Sequence, residues 1–119
     1  MCEGNSLAND PWRAFDLATE LSERAKSGKP YREFLRVPSL SCGIYTLPAG
    51  APDLQAPHDE DEVYYVVEGR GRLRVDDEER EVGPGSILYI RATSEHSFFE
   101  ISEDMTFLVF FASGGPGAN

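Results

Sequence analysis

The sequence predicts an all-β domain, a sandwich or small barrel of short strands preceded by one short helix. From residue 31 onward, short apolar segments alternate with turns rich in glycine, proline or acidic residues, and no helical pattern interrupts them. The chain has 119 residues, which suits one domain that buries about two thirds of its surface without disulfides.

The predicted helix comes first, at residues 15–26. Five residues recur at helical spacing: Phe15, Leu17, Ala18, Leu21 and Ala25. A glycine at 28 and a proline at 30 then end the predicted helix. Strands are expected after it, at residues 32–37, 41–47, 63–67, 71–75, 79–82, 86–90, 96–101 and 105–112.

This pattern divides the chain into a flexible tail, one domain and a second flexible tail. The first tail covers residues 1–11 and the last covers residues 114–119. The single domain spans 12–113, with a helical segment at 12–30 and the barrel at 31–113.

Charge and cysteine usage narrow the choice of partners and compartment. The chain carries 21 acidic and 11 basic side chains, a net charge of -10, so its field repels nucleic acids and anionic membrane surfaces. Cys2 and Cys42 suggest free thiols in a reducing cytoplasm rather than a disulfide framework or a CxxC metal site. No apolar run approaches the roughly 20 residues of a membrane span, so we expect a cytoplasmic protein.

The stretch 57–71 combines possible metal ligands with the strongest strand signal in the chain. His58 and Glu62 lie four positions apart, ahead of a β-branched and aromatic run that disfavours a helix. In a straight strand this spacing separates the two residues by roughly 13 Å. A shared metal therefore requires a bend at the acidic residues 59–61, which we interpret as a solvated turn.

Strand alternation predicts which side chains point into the barrel. If Glu62 points inward, Tyr64 and Val66 do so too, and on a later strand His96 shares one face with Phe98. His96 is thus a candidate to meet Glu62 and the preceding histidine across the interior.

The same alternation turns Val63, Tyr65 and Val67 outward. Three successive outward apolar side chains indicate a covered surface, most simply one covered by a second copy of the chain. We therefore expect a homodimer.

Two sequence motifs resemble those of small single-domain cupins. The first cupin motif, G(x)5HxH(x)3-4E(x)6G, fits without a gap from Gly50 through His58 and Glu62 to Gly69. Ala56 stands where the first histidine of that motif would be.

The second cupin motif, G(x)5PxG(x)2H(x)3N, fits in spacing from Gly85 through His96. Arg91, Thr93 and Glu100 replace its usual proline, glycine and asparagine. The resemblance covers residues 32–112 and implies a double-stranded β-helix, the cupin or jelly-roll barrel, with a metal or ligand site inside.

The resemblance also implies a ligand set for a divalent metal ion: Fe(II), Mn, Ni or Zn. Cupins of this type commonly use three histidines and a glutamate, so the alanine leaves His58, Glu62 and His96. Two histidines and a carboxylate form the facial triad that leaves positions open on non-haem Fe(II). Gln55 is a further possible oxygen donor, although adjacent strand residues point to opposite sides. Tyr64, the inward neighbour of the glutamate, is the candidate proton donor.

Two functions remain open at this point. The first is a metal-dependent enzyme acting on a small organic molecule, either a dioxygenase or a Lewis-acid isomerase, cyclase or lyase. The second is a barrel that holds a small ligand, with or without metal, and catalyses nothing. A barrel fold by itself does not decide between these two functions.

Overall fold

The computed structural model describes residues 10–53 and 57–112, which form one helix and six strands. They are α1 (Leu17–Ser27), β1 (Tyr31–Val37), β2 (Leu40–Leu47), β3 (Glu62–Val75), β4 (Glu78–Val82), β5 (Ile87–Ile90) and β6 (His96–Phe111). The all-β fold class with one short helix is confirmed. Most of the two predicted tails lies outside the described residues, as do Gln55 and Ala56.

The strands pair antiparallel in the order β1-β2-β6-β3-β4, and β5 pairs with the first part of β3. β3 and β6 are much longer than the other strands and run beside each other along most of their length. The beginning of β3 lies beside the end of β6, at the Glu62–Phe111 pair, and the beginning of β6 lies beside the end of β3, at the Val75–His96 pair. Those are the regions that carry the predicted ligands.

Two pairs of predicted short strands are in fact continuous. The prediction of separate strands at 63–67 and 71–75, and at 96–101 and 105–112, is therefore wrong. Each pair forms one long bent strand, and the β3–β6 register shifts three times between Val66 and Arg72. Gly69 has a φ of 94° there, and a Cβ on it would lie 2.2 Å from the Asp104 carbonyl oxygen. Glycine within a strand here marks a bend and a close backbone approach, not a strand end.

The core lies between the inward faces, as the alternation predicted. Glu62, Tyr64 and Val66 are buried, whereas Tyr65 is exposed on the other face. His96 and Phe98 are buried together on one face of β6. The apolar core consists of Tyr45, Leu47, Tyr64, Val66, Leu73, Val82, Leu88, Ile90, Phe98, Ile101, Met105, Phe107 and Val109.

Helix α1 packs on the outer face of β1 and β2. It begins two residues later than predicted and ends at Gly28, whose φ of 73° lets its N–H donate to the Ala25 carbonyl. The Glu20 carboxylate accepts a hydrogen bond from the Arg32 guanidinium at 3.0 Å, which ties the helix to β1. In the described part of the chain, this helix is too short to cross a membrane.

Candidate functional site

The site begins with two buried side chains at the first residues of the two long strands. Glu62 opens β3 and His96 opens β6. Their side chains are each 1% exposed, and His96 Nε2 lies 3.2 Å from Glu62 Oε1. Two residues 34 positions apart in the sequence are thus in direct contact inside the barrel.

The hydrogen bonds of His96 indicate which ring nitrogen carries its proton. Nδ1 lies 3.1 Å from the Ser94 carbonyl oxygen, and a carbonyl can only accept, so Nδ1–H donates. In the neutral ring, Nε2 then presents its lone pair to Glu62 and to the Tyr64 hydroxyl, which is 3.2 Å away. A backbone partner on one nitrogen is the usual way to orient a metal-binding histidine.

Glu62 is held in an environment that does not favour its charge. Burial raises the pKa of this carboxyl, while His96, His58 and a hydrogen bond from Tyr64 act in the opposite direction. Its second oxygen, Oε2, is buried and has no hydrogen-bond partner among the described residues. A carboxylate and a neutral imidazole in contact require a proton or a cation between them, because two lone pairs otherwise face each other.

The bend that carries His58 is fastened to the loop between β5 and β6. Thr93 N–H donates to the His58 carbonyl at 2.7 Å, and Ala92 N–H donates to Asp61 Oδ1 at 2.8 Å. The Asp61 carbonyl also accepts from Ala112 N–H at 3.0 Å. Part of the acidic turn that we interpreted as solvated therefore has a structural role.

The imidazole of His58 lies near the buried pair but not in contact with it. Its ring packs against Phe111 with centroids 4.8 Å apart, and its centroid is 6.4 Å from that of His96. The three predicted ligands therefore come together at one end of the barrel, two of them in contact and the third displaced.

The geometry fits a shared metal ion at two of the three ligands. At bond lengths of about 2.0–2.2 Å, two ligands separated by about 90–110° at one ion lie roughly 3.0–3.5 Å apart. The His96 Nε2 to Glu62 Oε1 distance of 3.2 Å falls within that range. Two imidazoles on one ion at such angles have ring centres roughly 4.5–5.2 Å apart, so His58 lies too far away by about 1–2 Å.

Within residues 10–53 and 57–112, no group of three or more histidine, cysteine or acidic side chains is arranged tightly enough to hold a metal ion. Gln55 and Ala56, the weaker candidate ligand and the position of the missing histidine, lie outside these ranges. Asp59 is exposed, and Glu60 borders the cavity described below, where, together with burial, its charge contributes to raising the pKa of Glu62.

A cavity of about 320 Å³ opens beside the pair, at the same end of the barrel. His58 and Tyr64 border this cavity, whereas Glu62 and His96 are not among its lining residues. The other lining residues are Tyr31, Glu33, Arg36, Ser41, Tyr45, Glu60, Val109 and Phe111.

The sequence did not predict that residues of β1 and β2 line a cavity. A register shift between Glu33 and Leu35 changes which residues of β1 face inward and places Arg36 opposite Ser41. Simple alternation along the strand does not show such a bulge. Gly43 was the available signal, since a glycine inside a strand often marks a close approach, here by the ring of Tyr31.

A small antiparallel barrel with a cavity and a histidine–carboxylate pair at one end is the architecture of a cupin. The cupin domain family matches this chain over residues 43–111, which is more than half of its length. The chain therefore belongs to the cupin family.

Relatives and solved structures agree with this assignment. An uncharacterized protein of Streptomyces coelicolor is 44% identical over 100 residues, covering 84% of this chain and 95% of that protein. KdgF from Halomonas sp. superposes with a TM-score of 0.63 at 20% identity, covering 70% of this chain and 78% of KdgF. The DMSP lyase DddQ from Ruegeria pomeroyi has a TM-score of 0.63 at 16% identity, covering 87% of this chain and 68% of DddQ. At these identities, the two solved structures show the fold alone.

Proposed function

We propose that this cupin binds one divalent metal ion through His96, Glu62 and His58 and acts on a small organic molecule in the adjacent cavity. The observation that carries the proposal is the buried His96–Glu62 contact, which already has the separation of two ligands on one ion. The unpartnered Glu62 Oε2 adds a second acceptor directed into the same buried region.

The ligand composition favours a particular chemistry. Two histidines and one carboxylate leave coordination positions free, and a bound ion would supply either a dioxygen-reactive Fe(II) centre or a Lewis acid such as Mn, Ni or Zn. A dioxygenase is therefore the first choice, and an isomerase, cyclase or lyase is the alternative. Ring orientation comes from the Ser94 carbonyl, which keeps His96 Nε2 available.

Tyr64 is the residue best placed to move a proton. Its hydroxyl is 3.2 Å from His96 Nε2, and its ring borders the cavity. A group that touches both the buried pair and the ligand space can donate to a substrate without leaving its position. We assign it the role of proton donor.

A barrel that binds a small ligand without turning it over is the second candidate. The 6.4 Å between the His58 and His96 ring centres favours it, because a third ligand is not in place. The two candidates differ in whether the purified protein takes up a metal.

Elemental analysis of purified wild type and variants tests the proposal. We expect about one transition-metal ion per chain in the wild type and loss of that ion in His96→Ala and Glu62→Gln. Asp59→Asn is the matched control, since it removes an exposed carboxylate of the same bend and is expected to keep the metal. Equal metal content in wild type and His96→Ala contradicts the site. A wild type that takes up none of Fe(II), Mn, Ni or Zn supports the ligand-binding barrel.

We also propose that a second copy of the chain covers the outer face of β3 and β5. Val63 and Tyr65 of β3 lie beside Tyr89 and Ile87 of β5 on this face, and Ile87 is 72% exposed and Tyr89 63%. The same face is covered by α1 only over β1 and β2. Light scattering is expected to give twice the 13.2 kDa of one chain, and Ile87→Asp is expected to give one chain. A monomeric wild type contradicts this proposal.

A further inference from the structure

Two buried hydroxyl groups on the cavity wall have no hydrogen-bond partner in the described part of the chain. They belong to Tyr31 of β1 and Ser41 of β2, and both residues border the cavity. Buried side-chain polar atoms are nearly always hydrogen-bonded, so an exception requires an explanation. A small molecule bound in the cavity would supply hydrogen-bond partners for these two hydroxyls.

The ring and hydroxyl of Tyr31 occupy the space that a side chain at Gly43 would fill. A Cβ on Gly43 would lie 2.3 Å from the Tyr31 hydroxyl oxygen and equally close to its ring. The ring therefore lies directly on the β2 backbone, between Ser41 and Tyr45 on the inner face. Phe111 packs against the ring edge-on at 6.4 Å.

The charged groups at the cavity are unfavourable for an anion. Arg36 is already paired with Glu33, at 2.7 and 3.0 Å, so its charge is neutralised. Glu60 adds a further negative charge on the lining. In the metal-free protein, a carboxylate or phosphate entering this space meets more negative than positive charge.

The Tyr31 hydroxyl is a donor and not a phenolate. Burial raises its pKa well above the usual range, and the nearby Glu33 adds to that effect. Ser41 contributes a second hydroxyl that rotates freely to donate. Both residues border the same cavity, whose apolar lining includes Val109 and Phe111.

We propose that Tyr31 and Ser41 bind the carbonyl or hydroxyl oxygen of an uncharged, largely apolar molecule that fills this cavity. The inference rests on the proposed function, in that the cavity is taken as the ligand site. A volume of about 320 Å³ is at the small end of the usual range for ligand pockets, roughly 300–1,000 Å³, so the molecule is of the size of one ring with short substituents.

Three probes of one size test the inference: acetophenone, toluene and benzoate. Titrations followed by ligand-observed NMR are expected to show acetophenone binding about threefold to tenfold more tightly than toluene, the value of one net hydrogen bond. Benzoate is expected to bind the metal-free protein, prepared with a chelator, more weakly than acetophenone by at least about tenfold, because of the surrounding carboxylates.

Tyr31→Phe removes one hydroxyl and nothing else. It is expected to remove most of the preference for acetophenone over toluene while leaving toluene affinity unchanged, and Ser41→Ala is expected to reduce the same preference. Tyr89→Phe is the matched control, since it deletes an exposed hydroxyl on the outer face and is expected to keep the wild-type preference. The preference is a ratio measured on each folded variant, so a general loss of stability does not imitate the effect.

Three results overturn the inference: no acetophenone binding by the wild type, benzoate bound by the metal-free protein as tightly as acetophenone, or an unchanged preference in Tyr31→Phe. Metal content measured on the same samples separates this inference from the metal proposal. Tyr31→Phe is expected to keep its metal. If the wild type takes up no metal and still shows the preference, the metal proposal is wrong and the hydroxyl site stands.

Discussion

The two halves of the barrel interior are built from the same strands but differ in how their polar groups are satisfied. In one half, the rings of Tyr45, Tyr64, Phe98 and Phe107 pack with centroids 4.5–5.8 Å apart. In the other half, the side chains border a cavity of about 320 Å³. Tyr64 belongs to both, with its ring in the cluster and its hydroxyl at His96.

Unsatisfied polar atoms are concentrated in the cavity half. Four buried side-chain polar atoms lack a partner among the described residues, and three of them belong to Tyr31, Ser41 and Glu62. The fourth, Arg24 Nε, is on the outer helix. The packed half thus stabilises the fold, and the cavity half keeps groups that a ligand or an ion can satisfy at some cost in stability.

Phe107→Ala is expected to have the largest effect on stability. Phe107 is fully buried at the centre of the aromatic cluster, so truncation leaves a void and costs about 3–5 kcal/mol of the free energy of unfolding. Urea denaturation followed by circular dichroism measures it. Trp12→Ala, at a residue 74% exposed, is the control and is expected to change stability by less than about 0.5 kcal/mol. Similar losses in the free energy of unfolding for the two variants contradict tight packing of the aromatic cluster.

Gly43→Ala tests the cavity wall and is expected to cost about 1–3 kcal/mol. The added methyl group would lie 2.3 Å from the Tyr31 ring, so either the ring or the β2 backbone has to move. The double variant Gly43→Ala with Tyr31→Ala removes the clash, and a double-mutant cycle is expected to show a favourable coupling between the two changes. Additive losses in that cycle mean that Tyr31 does not lie on Gly43.

Glu62→Gln is expected to stabilise the metal-free protein at neutral pH, because it replaces a buried carboxylate, whose charge is disfavoured by burial, with a neutral amide of the same shape. Burial raises the pKa of Glu62 in the folded state, so the folded protein binds more protons than the unfolded chain above the ordinary glutamate pKa. Wild-type stability therefore falls as the pH rises through this window, and the glutamine variant lacks that fall.

Urea unfolding in the presence of a chelator, at about pH 4 and about pH 8, measures this difference. The gain in Glu62→Gln is expected at the higher pH and is expected to vanish at the lower pH. Asp59→Asn, an exposed carboxylate of the same bend, is the control without such a gain. A variant that is less stable than the wild type at both values contradicts an unsatisfied Glu62.

The sequence was sufficient to predict the inner face of β3 but not the inner face of β1. Glu62, Tyr64 and Val66 follow strict alternation, and the buried pattern of the structure agrees with it. On β1, a register shift beside Glu33 returns Arg36 to the inner face, and it depends on pairing with β2 rather than on local sequence. The motif spacing predicted that His58 lies at the same end of the barrel as His96, and it does, but the distance between their rings depends on the backbone hydrogen bonds of the β5–β6 loop.

Thr93→Gly is expected to have the smallest effect, a gain in stability of about 0.5–1 kcal/mol. Thr93 has a φ of 67°, a left-handed conformation that a β-branched residue adopts only with strain, and it stands where the cupin motif has a glycine. Its N–H holds the His58 carbonyl at 2.7 Å, so the strained residue lies at the cavity end of the molecule. Thermal unfolding measures the gain, and Thr46→Gly, in the unbroken pairing of β2 with β6, is the control that is expected to lose stability. A loss in Thr93→Gly as large as in the control means that the threonine side chain contributes more than its backbone strain costs.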